Sequence, residues 1–208
     1  MALVLRLCAV LVSLSLLGAC AVPGKGGASA DEIARAAYHH GGQPSLTLYT
    51  MISNRSGSGA HTSLLINASQ RVAWDPAGSF RADGIVARDD VVYGMTPYMV
   101  DFYTRYHARE TFHVVVQKLP VSAEVAEMTL RKVQAYGAVA EAHCAMSTSQ
   151  ILSTVPGFED IKPSYSPLKL MDAFEAKGAS FERLYEYDED DKSKALREFD
   201  PSLVKKDS

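Results

Sequence analysis

Residues 143–152 read His143-Cys144-Ala145-Met146-Ser147-Thr148-Ser149-Gln150-Ile151-Leu152. The pattern predicts the first turns of an α-helix with a cysteine at its N-terminal end. Backbone N–H groups at a helix start have no acceptor within the helix and carry partial positive charge, which stabilises a thiolate. Because the thiolate is the reactive form of cysteine, this position favours a nucleophile. The alternative is that Cys144 is a small buried hydrophobic residue.

The first 19 residues indicate export. One basic residue, Arg6, precedes an apolar run over 7–17 that only serines interrupt, which is typical of a secretory signal and too short for a membrane span. The run ends in Leu16-Leu17-Gly18-Ala19-Cys20, which resembles the lipobox of bacterial lipoproteins. The resemblance implies a signal peptide over 1–19 and a lipid on Cys20. Ordinary cleavage after Ala19 or Ala21, giving a soluble periplasmic protein, is the alternative.

The lipoprotein resemblance also implies a location and a state for the remaining thiol. No acidic residue follows Cys20, which favours the outer membrane, with the protein facing the periplasm. Several acyl chains together anchor a protein stably. Of the 3 cysteines, Cys8 leaves with the signal and Cys20 carries lipid, so Cys144 has no partner for a disulfide. A free thiol in an oxidising compartment is either buried or used.

Composition limits the number of domains and the classes of partner. The 208 residues, less the signal, suffice for one domain, and 47% hydrophobic residues exclude wholesale disorder. A net charge of −3 without a basic cluster argues against nucleic-acid binding. We assign 20–30 to the lipidated cysteine and a flexible tether, 31–187 to the domain and 188–208 to a charged, solvated tail. The acidic cluster at 188–191 does not match a calcium-binding EF-hand loop.

The remaining pattern predicts an α+β fold. Alternating or apolar runs predict strands over 46–52, 61–66, 71–74, 112–117 and 179–187. Capping residues and helical spacing predict helices over 31–39, 97–107, 123–136 and 168–177, with 77–92 as a loop. The helix over 123–136 should bury Val125, Met128, Val133 and Tyr136. His61 opens one predicted strand and Asp75 closes the next, so a hairpin would bring both to the same end.

The order of a histidine on a strand, an acid after the next strand and a cysteine at a later helix start resembles the circularly permuted branch of the NlpC/P60 papain-like superfamily. The resemblance covers roughly 46–154. It implies an antiparallel sheet packed on helices, with the His strand before the Cys helix. It also implies that Cys144 is the nucleophile, His61 its base and Asp75 the third polar residue.

Such a set performs acyl transfer through a covalent intermediate. His61 would hold or take the thiol proton, and a carboxylate on its far nitrogen would fix its tautomer and orientation. The backbone N–H of Cys144 would stabilise the oxyanion. His143 is an alternative base and His113 an alternative orienting residue. A metal site from Cys144 with His143, His61 or His107 lacks ligand spacing such as Cys-x-x-Cys, so we predict no metal and no other cofactor.

The function expected from these residues is that of a cell-envelope cysteine hydrolase or acyltransferase acting on amide or ester bonds. The resemblance implies peptidoglycan stem peptides as substrate, with lipid acyl groups second. The alternative is a non-catalytic envelope lipoprotein that binds cell-wall peptides or a partner protein. Activation of Cys144 would discriminate between the two.

Overall fold

A computed structural model of the chain describes residues 27–187 and 192–204. The signal sequence over 1–19, the lipidation candidate Cys20, most of the tether and the acidic cluster at 188–191 lie outside the described residues. The helices of the described part are α1 (Ala30–Ala36), α2 (Pro97–His107), α3 (Ala123–Tyr136), α4 (Cys144–Leu152), α5 (Pro167–Ala176) and α6 (Ser193–Glu198), with a 3₁₀ turn at Pro201–Leu203. None of these helices is long and apolar enough to cross a membrane.

The strands form one antiparallel sheet. They are β1 (Ser45–Ser53), β2 (Gly59–Asn67), β3 (Arg71–Trp74), β4 (Ala87–Arg88), β5 (Val91–Val92), β6 (Phe112–Pro120) and β7 (Ser180–Tyr185). Their order across the sheet is β4-β5-β3-β2-β1-β6-β7, and each neighbouring pair is antiparallel. The predicted α+β class is therefore confirmed.

Helices cover both faces of the sheet, and each face has its own hydrophobic core. Alternate residues of β1 and β2, such as Leu48 and Leu64, pack against α3, α4 and α5. The intervening residues, such as Tyr49, pack against α2 and α6 on the other face. Because side chains alternate between faces along a strand, each central strand contributes to both cores. Burial on both faces explains why all but one residue of β1 is buried.

Several predicted boundaries are confirmed because local capping residues set them. Helix α3 begins after Ser122, whose hydroxyl accepts a hydrogen bond from the Val125 N–H, and ends at Gly137 with a φ of 86°. Thr96 caps α2 in the same way, with Pro97 as its first residue. Strand β3 covers the predicted residues 71–74, and α4 begins at Cys144 as predicted.

The predicted apolar face of α3 is confirmed only in part. Val133 is buried and Val125 packs against the core, but Met128 is not among the buried residues and Tyr136 is exposed. The buried residues of α3 are Ala126, Thr129, Leu130 and Val133. Tyr136 is 42% exposed and lies edge-to-face on Trp74. The helix carries apolar side chains around most of its circumference, and packing against α4 and β2 selects the face with the small Ala126. A periodic pattern with two nearly equal faces does not determine which face meets the core.

Two segments predicted to be irregular are ordered against the domain. The predicted loop over 77–92 contains β4 and β5, which extend the sheet beyond β3. The tail was predicted to be solvated, but residues 193–203 pack against the domain. Ala195 is buried, and the Phe199 ring stacks on Phe102 with centroids 4.2 Å apart. An ion pair between Arg105 of α2 and Glu198 of α6 also joins the tail to the domain. The sequence did not predict these contacts, because the tail is mostly charged and only a few of its residues are apolar.

Candidate active site

The site lies where β3 ends beside β2. Pairing between these strands runs from Asn67 with Arg71 to Leu64 with Trp74, so residues 59–63 of β2 extend beyond β3. The N–H of Thr62 in this extension lies beside the sulfur of Cys144. The first residue of α4 therefore occupies the gap that β3 leaves. Trp74 also holds α4 in place, because its indole N–H donates a hydrogen bond to Thr148 Oγ1 at 3.2 Å.

The structure brings His61 and Asp75 together. His61 Nε2 lies 2.8 Å from Asp75 Oδ1, and the Asp75 side chain is fully buried. The carboxylate only accepts hydrogen bonds, so the imidazole Nε2–H is the donor. This confirms that the strand end and the following turn lie side by side, as the hairpin pattern predicted. Asp75 is thus in position to orient the imidazole.

The Cys144 sulfur lies beside the His61 ring, within range of its hydrogen-bonding and charge interactions. Because Nε2 is bonded to Asp75, Nδ1 is the ring nitrogen left for the sulfur. Cys144 is 7% exposed and is the free cysteine of the described part of the chain. The imidazole therefore lies between the carboxylate and the thiol. All three predicted site residues meet, although they come from separate parts of the sequence.

The electrostatics of the site favour an ion pair between thiolate and imidazolium. Burial opposes the charged form of His61, but hydrogen bonds to Asp75 and Cys144, together with their charges, raise the pKa of His61 to about 10. Burial likewise disfavours the thiolate, but the His61 hydrogen bond and charge, then the N–H groups of Thr62 and Ala145, lower the pKa of Cys144. Burial also opposes ionisation of Asp75, yet the hydrogen bond and charge of His61 lower its pKa to about 2.

A tyrosine that the sequence did not point to completes the support of Asp75. The Tyr103 hydroxyl donates to Asp75 Oδ1 at 2.7 Å and lies 2.7 Å from Ser63 Oγ. Its ring meets Tyr49 edge-to-face and is 1% exposed. Tyr103 lies on α2, inside the long segment between β3 and β6. An aromatic residue on an amphipathic helix gives no signal that separates this role from core packing.

A second residue of α2, His107, lies next to His61. The two imidazole rings stack at 18° with centroids 6.0 Å apart. The Nδ1–H of His107 donates to the Tyr103 carbonyl at 2.8 Å, which leaves Nε2 as an acceptor. Burial lowers the pKa of His107 to about 4, so its ring is neutral at physiological pH. The sequence suggested His107 as a metal-ligand candidate with Cys144 and not as a neighbour of Asp75.

The two alternative histidines lie elsewhere. His143 precedes α4, where its Nδ1 bonds the Glu141 carbonyl and its ring meets Tyr165 edge-to-face. His113 lies on β6, with β1 between it and β2, and its Nδ1 bonds Asn54. Within the described part of the chain, the hydrogen bonds and ring contacts of these two residues are with Glu141, Tyr165 and Asn54, and not with His61. The geometry therefore favours His61 as the base and Asp75 as the orienting residue.

A cavity of about 220 Å³ adjoins the site on the α2 side. Its walls include His61, Gly78, Ser79, His107, Arg109 and Phe112. Of the three predicted site residues, only His61 lies on this wall. The cavity therefore gives access to the His61–Asp75 pair from the side of His107.

Gly78 allows the Asp75 carboxylate to occupy its position. The chain turns after Asp75 through Pro76 and Ala77, and the Gly78 N–H donates to the Asp75 carbonyl at 3.0 Å. A Cβ added at Gly78 would lie 1.8 Å from Asp75 Oδ2, which is far inside contact distance. Any side chain at position 78 must therefore displace the carboxylate or the turn.

We expect Gly78→Ala to lower the free energy of unfolding by about 1–3 kcal/mol, the usual cost of overpacking. Displacement of Asp75 should also weaken its bond to His61 and slow alkylation of Cys144 at acidic pH. Chemical denaturation and iodoacetamide kinetics measure the two effects. Gly41→Ala is the matched control, since a Cβ there would meet no atom within 4 Å. Equal behaviour of the two variants would contradict this role of Gly78.

The described residues also contain a group of metal-ligand side chains. His61, Asp75 and His107 offer donor atoms that all lie within 4.8 Å of one another. This group differs from the one considered in the sequence, because Asp75 takes the place of Cys144 and His143 is not a member. Two imidazole nitrogens and one carboxylate form a ligand set that zinc accepts.

Comparison with known proteins identifies no relative of the chain. The resemblance to the NlpC/P60 superfamily therefore rests on the order and placement of His61, Asp75 and Cys144. No protein-family model, no curated protein and no solved structure matches the chain.

Proposed function

We propose that the protein is a cysteine hydrolase or acyltransferase that cleaves amide or ester bonds through an acyl-enzyme on Cys144. The observation that carries the proposal is the position of His61, which forms a hydrogen bond with Asp75 through Nε2 and has the Cys144 sulfur beside its ring. A buried structural cysteine needs neither partner. A nucleophilic cysteine needs a base, and the base needs a residue that orients it.

The reaction begins with attack of the Cys144 thiolate on the substrate carbonyl carbon. The oxyanion that forms accepts a hydrogen bond from the Cys144 N–H, which as the first N–H of α4 has no acceptor within the helix. His61 gives its Nδ1 proton to the leaving amine or alcohol, and a thioester remains on Cys144. His61 then takes a proton from water or from an acceptor hydroxyl, which attacks the thioester and regenerates the thiolate.

We further propose that the domain is a permuted NlpC/P60-type papain-like fold. In its support, an antiparallel sheet packs on the helix that begins with Cys144, and the His-bearing strand precedes that helix in the chain. The turn that holds Asp75 follows the next strand. Peptidoglycan stem peptides are then the first substrate to examine, and lipid acyl groups the second.

Trapping of the acyl-enzyme tests the proposed chemistry without knowledge of the natural substrate. Incubation of the purified protein with activated esters of an N-acyl amino acid and of a fatty acid should add one acyl group to Cys144. Intact mass and peptide mapping would locate the adduct. Cys144→Ser should not form the thioester, and His113→Gln should react like the parent protein. Failure of both probes, with a slow-reacting thiol, would favour the non-catalytic binding lipoprotein.

We propose that the protein is anchored through lipid on Cys20 in the outer membrane, with the domain facing the periplasm. The support is the Leu-Leu-Gly-Ala-Cys sequence at 16–20 and the small residue at position 21. We expect Cys20→Ser to abolish incorporation of labelled palmitate and to move the protein from the membrane to the periplasmic fraction. Cys8→Ser is the matched control, because Cys8 lies within the proposed signal. Equal labelling of the two variants would contradict the anchor.

A further inference from the structure

We propose that His61, Asp75 and His107 together bind a divalent transition metal ion of the zinc type. Their donor atoms lie within 4.8 Å of one another, and both histidines line the 220 Å³ cavity. Zinc bonds to imidazole nitrogen and carboxylate oxygen are about 2.0–2.2 Å long. Ligands on one tetrahedral ion are therefore about 3.4 Å apart. The observed separations, 2.8 Å between His61 Nε2 and Asp75 Oδ1 and no more than 4.8 Å within the group, lie on either side of that value.

The orientation of His107 is the first feature that favours a ligand role. Its Nδ1–H donates to the Tyr103 carbonyl, which fixes the ring and leaves the lone pair on Nε2. Metal-binding histidines are commonly held this way, with the other ring nitrogen bonded to a backbone carbonyl. The acyl-transfer chemistry proposed above does not use His107. Its ring nevertheless stacks on His61 at the inner end of the cavity.

An unpartnered carboxylate oxygen is the second, independent feature. Asp75 Oδ1 accepts from both His61 and Tyr103, whereas Oδ2 is buried without a hydrogen-bond partner in the described part of the chain. Buried polar atoms are nearly always bonded, so this oxygen has capacity for another partner. A carboxylate can bind a metal through either oxygen. Oδ2 lies against Gly78, since a Cβ there would be 1.8 Å from it, and Gly78 lines the same cavity as His61 and His107.

Metal binding would compete with the hydrogen bond between His61 and Asp75. The His61 Nε2–H proton passes to solvent, and the nitrogen lone pair that it leaves binds the ion. The fourth position of a tetrahedral site faces the cavity, where water completes the coordination. Binding itself does not depend on the proposed function. Its consequence does, because a metal-bound His61 would be too weak an acid to protonate a leaving group, so the ion would inhibit acyl transfer.

Cobalt(II) titration of the purified protein tests the site, because tetrahedral cobalt has intense visible absorption bands. We expect one ion per chain in the parent protein and at least about 100-fold weaker binding in His107→Gln. His143→Gln, which alters a histidine beside Cys144 but outside the site, should bind like the parent. Urea denaturation of His107→Gln beside the parent protein separates loss of a ligand from loss of folding.

The same titration on Cys144→Ser distinguishes this proposal from the proposed enzymatic function. Cobalt binding should persist in that variant, whether or not Cys144 is a nucleophile. Zinc should displace the cobalt in both proteins. Octahedral or absent binding in the parent protein would overturn the proposal. Equal binding in His107→Gln, or loss of binding in Cys144→Ser, would also overturn it, since the ligand set would then be different.

Discussion

Replacement of His61 by alanine should lower the alkylation rate of Cys144 at pH 5.5, by about tenfold for each pKa unit that His61 contributes. His61 is the main source of the lowered pKa of Cys144, through its hydrogen bond and its charge. The helix start alone contributes about 0.3–1 kcal/mol, less than one pKa unit of about 1.4 kcal/mol. Burial opposes the thiolate. Without His61 the thiol should therefore return to an ordinary pKa of about 8.5, at which about one molecule in 1,000 is ionised at pH 5.5.

The measurement is the rate of iodoacetamide reaction at Cys144 between pH 4 and pH 10. The parent protein should show a transition well below the ordinary thiol pKa, and His61→Ala should show one at or above it. His143→Gln serves as the control and should keep the parent profile, because its ring bonds the Glu141 carbonyl. A thiol that reacts slowly at every pH until denaturant is added would make Cys144 a core residue. The catalytic proposal would then fall.

Asp75→Asn should lower the free energy of unfolding by about 3–5 kcal/mol near pH 5, the usual effect of removing one partner from a buried charged pair. The Asp75 carboxylate is fully buried and bonded to His61 and Tyr103. An amide retains the shape but not the charge. The pKa of His61 should fall in the variant, because a neutral partner no longer stabilises the imidazolium.

The pH dependence of this destabilisation has a defined window. Burial opposes ionisation of Asp75, but its bond to His61 lowers the pKa of Asp75 from an ordinary 3.8 to about 2. The contribution of the Asp75 carboxylate to folding stability is therefore complete above pH 3.8 and is lost toward pH 2. Burial also opposes the His61 cation, but Asp75 and Cys144 raise the pKa of His61 from 6.5 to about 10. The contribution of the protonated His61 to folding stability is therefore complete below pH 6.5 and is lost toward pH 10. The difference between parent and variant should be largest between pH 4 and 6.5.

Urea denaturation across pH 3–10 measures this difference. Asp101→Asn is a suitable control, because Asp101 is an exposed acid on the same helix as Tyr103 and should change stability little. A constant difference from pH 3 to pH 10 would contradict the ionised pair. Equal stability of parent and Asp75→Asn would mean that the carboxylate is not coupled to His61.

Backbone strain accompanies both ends of the site. Ala77, two residues after Asp75, has a φ of 57°, and Ala142, two residues before Cys144, has a φ of 62°. A non-glycine residue in this left-handed region costs about 1–2 kcal/mol. The surrounding structure holds these conformations against that cost. The other two described non-glycine residues with left-handed backbone, Asp89 and Asp90, lie in the turn between β4 and β5, so the strain is shared between the candidate site and this turn.

The amino-acid sequence determined the local elements and indicated the three candidate site residues. Ser122 with Gly137, Thr96 with Pro97 and the alternation over 46–52 set helices and strands, because caps and side-chain periodicity act within a few residues. The same local rules place a cysteine at a helix start, a histidine on a strand and an acid at a strand end. The order of these three residues along the chain predicted that their side chains would lie close together, and in the structure they do.

Tertiary structure alone decided which face of α3 is buried, where the tail lies and what surrounds the triad. Tyr103, Gly78 and His107 reach Asp75 and His61 from a helix and a turn whose position depends on packing over many residues. Their roles leave no local pattern, since a buried tyrosine, a turn glycine and a helical histidine are equally common in ordinary cores. Contacts between residues far apart in sequence are selected by the free energy of the whole fold, so only the assembled molecule determines them.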